Sequence, residues 1–158
     1  ARMADLKFRG RFDAKIDEKG RLLLPLAVRE VLKEFPLVVT NNQSKKARFL
    51  DGYSFPSWQH LEKRIDGLSS LKLEVQAFQR FYLANAQVLS PDAQNRILLP
   101  KNLREFAQLN SDVVIIGMSE KIEIWEQKTW TKLYQDLANS FEDTVALVAE
   151  LEQQRDKK

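Results

Sequence analysis

The stretch Asp17-Glu18-Lys19-Gly20-Arg21-Leu22-Leu23-Leu24-Pro25-Leu26-Ala27-Val28-Arg29-Glu30 occurs again, 75 positions later, as Asp92-Ala93-Gln94-Asn95-Arg96-Ile97-Leu98-Leu99-Pro100-Lys101-Asn102-Leu103-Arg104-Glu105. Seven of the fourteen positions are identical, where ordinary residue frequencies give about one. A second echo follows. Tyr53 and Trp58 stand five apart, as do Trp125 and Trp130, at an offset of 72. A hairpin loop of different length absorbs the three-residue difference. The chain is therefore an internal duplication of one compact unit.

Working outward from the signature, Phe12, Ala14 and Ile16 alternate with Arg11, Asp13 and Lys15, the period of a half-buried strand. Asp17 to Gly20 reads as a turn, with Asp bonding to backbone two residues on and Gly accepting positive φ. Asn95 replaces Gly20 in the second copy, and Asn is the other residue that commonly visits the left-handed region. A short strand leaves each turn, and Pro25 and Pro100 stand where a helix can begin. Val28, Val31, Leu32 and Phe35 predict a helical stripe after the first proline; Leu103, Phe106 and Ala107 predict one after the second. Strand pairs follow at Leu37–Thr40 with Arg48–Leu50, and at Val113–Ile116 with Ile122–Ile124. A helix holding Trp58 or Trp130 closes each unit. Between them, Ser69-Ser70 predicts a connecting helix through Leu71, Val75, Phe78 and Tyr82. After the second, Ser140 with Asp143 predicts a capping box, and Val145, Val148 and Leu151 extend a stripe. Gln153 to Lys158 is polar and expected to fray. The expected divisions are 6–68, 69–83, 84–138 and 139–158: first unit, connecting helix, second unit, C-terminal helix and tail.

Composition narrows the function classes. Hydrophobic residues make up 44% and charged residues 30%, the balance of a globular chain. No apolar run approaches the ~18 residues of a membrane span. Cysteine is absent, which excludes disulfides and thiolate metal sites and fits a reducing cytoplasm. Ala1-Arg2 ahead of Met3 reads as an expression remnant. The lone His60 leaves no paired-imidazole metal site, and there is no Gly-rich phosphate loop or nucleophile elbow. The chain is expected not to be an enzyme and to need no cofactor, metal or small-molecule substrate.

The net charge of +3 is uneven: residues 1–48 carry twelve Lys/Arg against six Asp/Glu, whereas 49–158 carry thirteen against sixteen. The basic part coincides with the first signature, and a polyanion is the simplest partner. Arg21 and Arg96 leave the turns directly, placed to reach phosphate oxygens or a guanine edge. An intra-turn ion pair, Asp17 with Arg21 and Asp92 with Arg96, competes with that role, and the two are compatible. Around Arg21 lie Arg9, Arg11, Lys15 and Lys19; around Arg96, Gln94 replaces Lys19 and the preceding strand carries no Lys or Arg. Electrostatics thus favours the first unit for phosphate contacts. Arg29 and Arg104 are equally open to a structural and a ligand-facing reading. Asp17, Gly20, Asp92 and Asn95 are the expected turn-formers.

The duplicated Asp-x-x-x-Arg turn resembles the AbrB/SpoVT class of bacterial DNA-binding units, where such a turn links two strands of a swapped-hairpin barrel. Two copies, each with Leu-Pro after the arginine and an aromatic five residues before a Trp, together with Phe8-Arg9-Gly10, resemble the MraZ family over about Leu6 to Leu137. The resemblance implies an α+β chain of two tandem swapped-hairpin (AbrB-like) β-barrel units with flanking helices and a pseudo-twofold internal repeat. It also implies a cytoplasmic, nucleoid-associated transcriptional regulator of the division and cell-wall gene cluster. Such a protein binds repeats of double-stranded DNA in its own promoter as a ring-shaped homo-oligomer. Carried over by position, the DNA-facing residues are Arg21, Lys19 and Arg96; Arg9, Arg11 and Lys15 join them on charge and position. Related barrels act as antitoxins through a separate tail, which makes a protein-interaction module using the C-terminal helix the alternative. The resemblance leaves the stretch after about Ala138 unassigned.

Overall fold

The structure, a computed structural model, describes residues 6–157; Ala1-Arg2, the expected remnant, and Lys158, the end of the expected frayed tail, lie outside the described residues. The first copy supplies β1 (Arg11–Lys15), β2 (Arg21–Leu23), α1 (Leu26–Leu32), β3 (Leu37–Ser44), β4 (Ala47–Ser54) and α2 (Phe55–Asp66). A short α3 (Leu73–Phe78) runs into a π-helical turn at Gln79–Leu83, closed by the Ala84 N–H donating to the Gln79 carbonyl at 2.9 Å. The second copy repeats the order as β5 (Gln87–Leu89), β6 (Arg96–Leu98), α4 (Lys101–Phe106), β7 (Asp112–Met118), β8 (Lys121–Glu126) and α5 (Gln127–Asn139), before α6 (Phe141–Asp156). The chain divides into a compact unit ending at Gln127 and a second, α-helical unit beginning at Lys128. No helix among the described residues is long and apolar enough to cross a membrane.

Strands of the two copies interleave. The six-stranded antiparallel sheet has the order β1-β7-β8-β4-β3-β5, and β2 pairs with β6 in a separate two-stranded ribbon. By repeat position this order reads the same from either end. The first strand of each copy lies on the third strand of the other, Arg11 opposite Ile116 and Leu37 opposite Leu89. The fourth strands meet in the middle, Leu50 opposite Ile124. Both copies also share one core, where Leu22, Leu24, Val28 and Leu32 meet Ile97, Leu99, Leu103 and Ala107 against the sheet residues Leu37, Leu50, Ile115 and Ile122. The opposite sheet face is covered by Trp58 and Leu61 of α2 and by Tyr82 of the π turn. A close approach fixes the start of the chain: a Cβ on Gly117 would lie 2.3 Å from the Arg9 backbone nitrogen, so Phe8-Arg9 can pass there only because position 117 has no side chain.

Several expectations need correcting. The sheet is open among the described residues, with β1 and β5 as edges and the ribbon joined to β1 only through the Ile16–Leu22 bridge, so no closed barrel forms. Phe35 lies beyond α1, which ends at Leu32 because Lys33 turns out of the helix at φ +57°, and Pro36 further disfavours helical backbone at Phe35. The connecting helix begins at Leu73 rather than at the serines. Ser140 makes no side-chain cap; its hydroxyl instead donates to the Asp136 carbonyl at 3.1 Å.

Candidate functional site

The two signature turns have the same internal wiring. In the first, the Asp17 Oδ1 accepts from the backbone N–H of Lys19 at 3.0 Å and of Arg21 at 2.9 Å, and its Oδ2 accepts from the Arg21 Nε at 2.7 Å. In the second, Asp92 accepts from Gln94 N–H at 2.8 Å, Arg96 N–H at 3.0 Å and Arg96 Nε at 3.0 Å. The Gly20 N–H donates to the Asp17 carbonyl and the Asn95 N–H to the Asp92 carbonyl, each at 2.9 Å. Gly20 has φ +87° and Asn95 +63°, so each turn places its fourth residue in the left-handed region. Each aspartate holds its arginine at the backbone N–H and, on the side chain, at Nε.

Backbone N–H donation from the arginine is the main cause that holds both aspartates below the ordinary carboxylate pKa, reinforced by the N–H two residues on and by the guanidinium. A carboxylate whose pKa falls on folding contributes stability above its unfolded pKa near 3.8 and loses it as pH falls through the lower folded value. The urea midpoint should therefore decline on acidification below about pH 4. In Asp17→Asn/Asp92→Asn that decline should be shallower; an identical pH profile would remove the aspartates from the stability of the turns.

The two turns hold each other in place. The Leu99 N–H donates to the Gly20 carbonyl at 2.9 Å and the Leu24 N–H to the Asn95 carbonyl at 3.0 Å. The Arg29 Nε then donates to the Leu24 carbonyl at 3.1 Å and the Arg104 Nε to the Leu99 carbonyl at 3.0 Å. Both side chains are thus bound to backbone where strand turns into helix, which supports the structural reading of each. Arg104 also covers the first turn, since a Cβ on Gly20 would meet its guanidinium carbon at 2.8 Å. Position 20 favours glycine for its φ, and a side chain there would have to push the Arg104 guanidinium aside.

Register assembles the site. In the β2–β6 ribbon Arg21 stands opposite Leu98 and Arg96 opposite Leu23, while Leu22 and Ile97 pair on the other face and are wholly buried. Side chains two apart on a strand share a face. Arg21, Leu23, Arg96 and Leu98 thus form one checkerboard, with the arginines on one diagonal about 7–8 Å apart. Leu23 and Leu98 are 55% and 59% exposed. The sequence reading missed these two leucines, although the in-out alternation of Arg21-Leu22-Leu23 carried the signal.

The other candidates are distributed unequally. Arg11 and Lys15 line an open groove of about 490 Å³ with Phe12, Leu23 and Pro25, which brings β1 beside the ribbon. Both are tethered on the surface, Arg11 to Asp13 at 3.2 Å and Lys15 to Asp112 at 3.0 Å. Lys19 is exposed at the turn. Arg9 precedes β1, at the end away from the turn; along extended chain the eight residues to Asp17 span roughly 26 Å. The structure does not bring Arg9 to the ribbon. Around Arg96 the corresponding neighbours are Gln94 and the uncharged β5, so the positive groups crowd one end of the checkerboard.

Within the signature the geometry offers clamped arginines on a narrow exposed ribbon. A model of the family described as "MraZ protein, putative antitoxin-like" matches residues 82–149, from the π turn through the second signature and well into α6. The match reaches past Ala138 and so takes in part of the stretch that resemblance left unassigned. With that match on the second copy, and the same signature in the first, the chain is similar to the MraZ family over residues 82–149.

Proposed function

We propose that this protein is a sequence-specific DNA-binding transcriptional regulator that acts on promoter repeats of its own operon in the division and cell-wall gene cluster. The observation that carries the reading is the placement of Arg21 and Arg96, from turns 75 residues apart, on one exposed ribbon face. An arginine held at Nε by a carboxylate is pre-organised, so little side-chain entropy is lost when its remaining N–H groups engage phosphate or guanine. Lys19, Arg11 and Lys15 supply further positive charge at the first end. The exchange of first strands between copies supports a swapped-hairpin arrangement about a pseudo-dyad, which is how one chain would present both arginines together.

One ribbon with a few cationic contacts binds weakly and with marked salt dependence. Assembly into a ring would turn successive contacts into intramolecular ones and raise affinity without new chemistry. Promoter repeats about one helical turn apart would offer each subunit the same groove face. Footprinting the full chain on DNA upstream of its own gene is the test. Protection of repeats at that spacing, with affinity falling steeply as salt rises, is expected; no protection at low ionic strength would overturn the reading.

A second reading is favoured by one specific feature: α6 exposes Phe141, Val145, Leu147, Val148 and Leu151. That apolar surface suits an antitoxin-like role in which the C-terminal helix captures a protein. Val148→Asp/Leu151→Asp would then abolish capture while leaving the DNA footprint intact; loss of both would tie α6 to the assembly that binds DNA.

A further inference from the structure

The two exposed leucines have no place in phosphate binding, yet they occupy the second diagonal of the checkerboard. Leu23 and Leu98 are the same residue at the same repeat position, whereas the turn residues beside the arginines diverge, Lys19 to Gln94 and Gly20 to Asn95. Each stands opposite an arginine, Leu98 facing Arg21 and Leu23 facing Arg96, on the face turned away from the core. The inner face of the ribbon, Leu22 and Ile97, is wholly buried, so the core contact of this three-residue ribbon is made there and the outer pair lies largely open.

We infer that Leu23 and Leu98 are specificity residues that contact thymine 5-methyl groups in the major groove, each beside an arginine directed at a neighbouring guanine or phosphate; the inference rests on the DNA-binding reading above. Three features of the ribbon select this occupant. The major groove admits a two-stranded β-ribbon, and it is the groove that displays the thymine methyl and the guanine O6/N7 pair. The leucine diagonal, about 7–8 Å, matches two base-pair steps at roughly 3.4 Å each. The palindromic strand order gives the ribbon an approximate dyad, which is the local symmetry of a duplex. The cationic groups in the adjoining groove, Arg11 and Lys15, would lie against the flanking backbone.

The probe is a duplex enriched from random DNA by the full chain, with deoxyuridine then substituted for thymidine one position at a time. Affinity is read by fluorescence anisotropy. Removing a contacted methyl should weaken the native protein roughly fourfold, at positions two base pairs apart. Leu23→Ala/Leu98→Ala should bind thymidine and deoxyuridine duplexes alike. A variant that still discriminates, or a native protein that never does, would overturn the inference while leaving DNA binding intact. A changed assembly mass in that variant with unaltered discrimination would also overturn it and assign the leucines to a subunit contact. Failure to enrich any duplex would instead bring down the DNA-binding reading itself.

Discussion

Arg21→Ala should lower affinity for the DNA upstream of the gene by about 10- to 100-fold, the loss expected when a bidentate base or phosphate contact is removed. The fold should survive. Asp17 keeps its bonds from the Lys19 and Arg21 backbone N–H groups whatever the side chain at position 21, so the turn retains its shape. The side-chain pair lost is partly exposed, 33% at the arginine and 38% at the aspartate, and such pairs add little to stability. Circular-dichroism melts of variant and native protein should therefore nearly superimpose while their binding isotherms separate. Arg21→Lys should recover only part of the affinity, since an ammonium cannot make the planar double contact. Arg96→Ala should cost less, because its end of the checkerboard lacks the lysines and arginine that reinforce Arg21. Equal or larger losses at Arg96 would show that base contacts, not crowding of positive charge, set the ranking.

Much of this arrangement was legible because it is local. The turns are written in the Asp-x-x-x-Arg spacing, and their left-handed fourth positions in Gly20 and Asn95. The helices after Pro25 and Pro100 and the strand runs Leu37–Thr40 and Val113–Ile116 follow from periodicity and β-branching, and the structure has them. What the chain did not reveal was pairing. Nothing in either signature says that β1 lies on β7 and not on β3, because both are apolar strands at the same position of the two copies. The meeting of Arg21 and Arg96 on one face depends on that choice. Arg29 and Arg104 were undecided for the same reason: their carbonyl acceptors exist only once strand, turn and helix are assembled. Phe35 was misplaced because its apolar spacing outweighed Pro36 in the periodic reading.

The largest effect on stability should come from Asp51, which no motif singled out. Its side chain is wholly buried in the sheet, accepting from Lys121 Nζ at 2.8 Å, from Asn42 Nδ2 at 2.7 Å and from the Tyr82 hydroxyl. Burial works against the charge on Lys121, yet Asp51 and then Glu123 outweigh it and hold the lysine above its ordinary pKa. Burial, together with the Asp51 charge, pushes the Tyr82 hydroxyl far up, so it stays a donor. The network fixes the π turn to the sheet, with the Thr40 hydroxyl donating to the Tyr82 carbonyl at 2.6 Å and Tyr53 meeting the Tyr82 hydroxyl at 2.7 Å. Asp51→Ala leaves the Lys121 ammonium with Glu123 at 3.4 Å and the Tyr82 hydroxyl with Tyr53, and should cost about 3–5 kcal/mol in urea unfolding, the penalty for removing one partner of a buried pair. For a chain of this size that is roughly a 10 °C fall in Tm. Lys121→Met alone should also destabilise, but Asp51→Ala/Lys121→Met should lose less than the two single losses added, because the second change removes the charge whose main partner the first took away. Strict additivity, or a cost below about 1 kcal/mol for Asp51→Ala, would mean that water already solvates the cluster and that packing of Trp58, Leu61 and Tyr82 alone secures that face of the sheet.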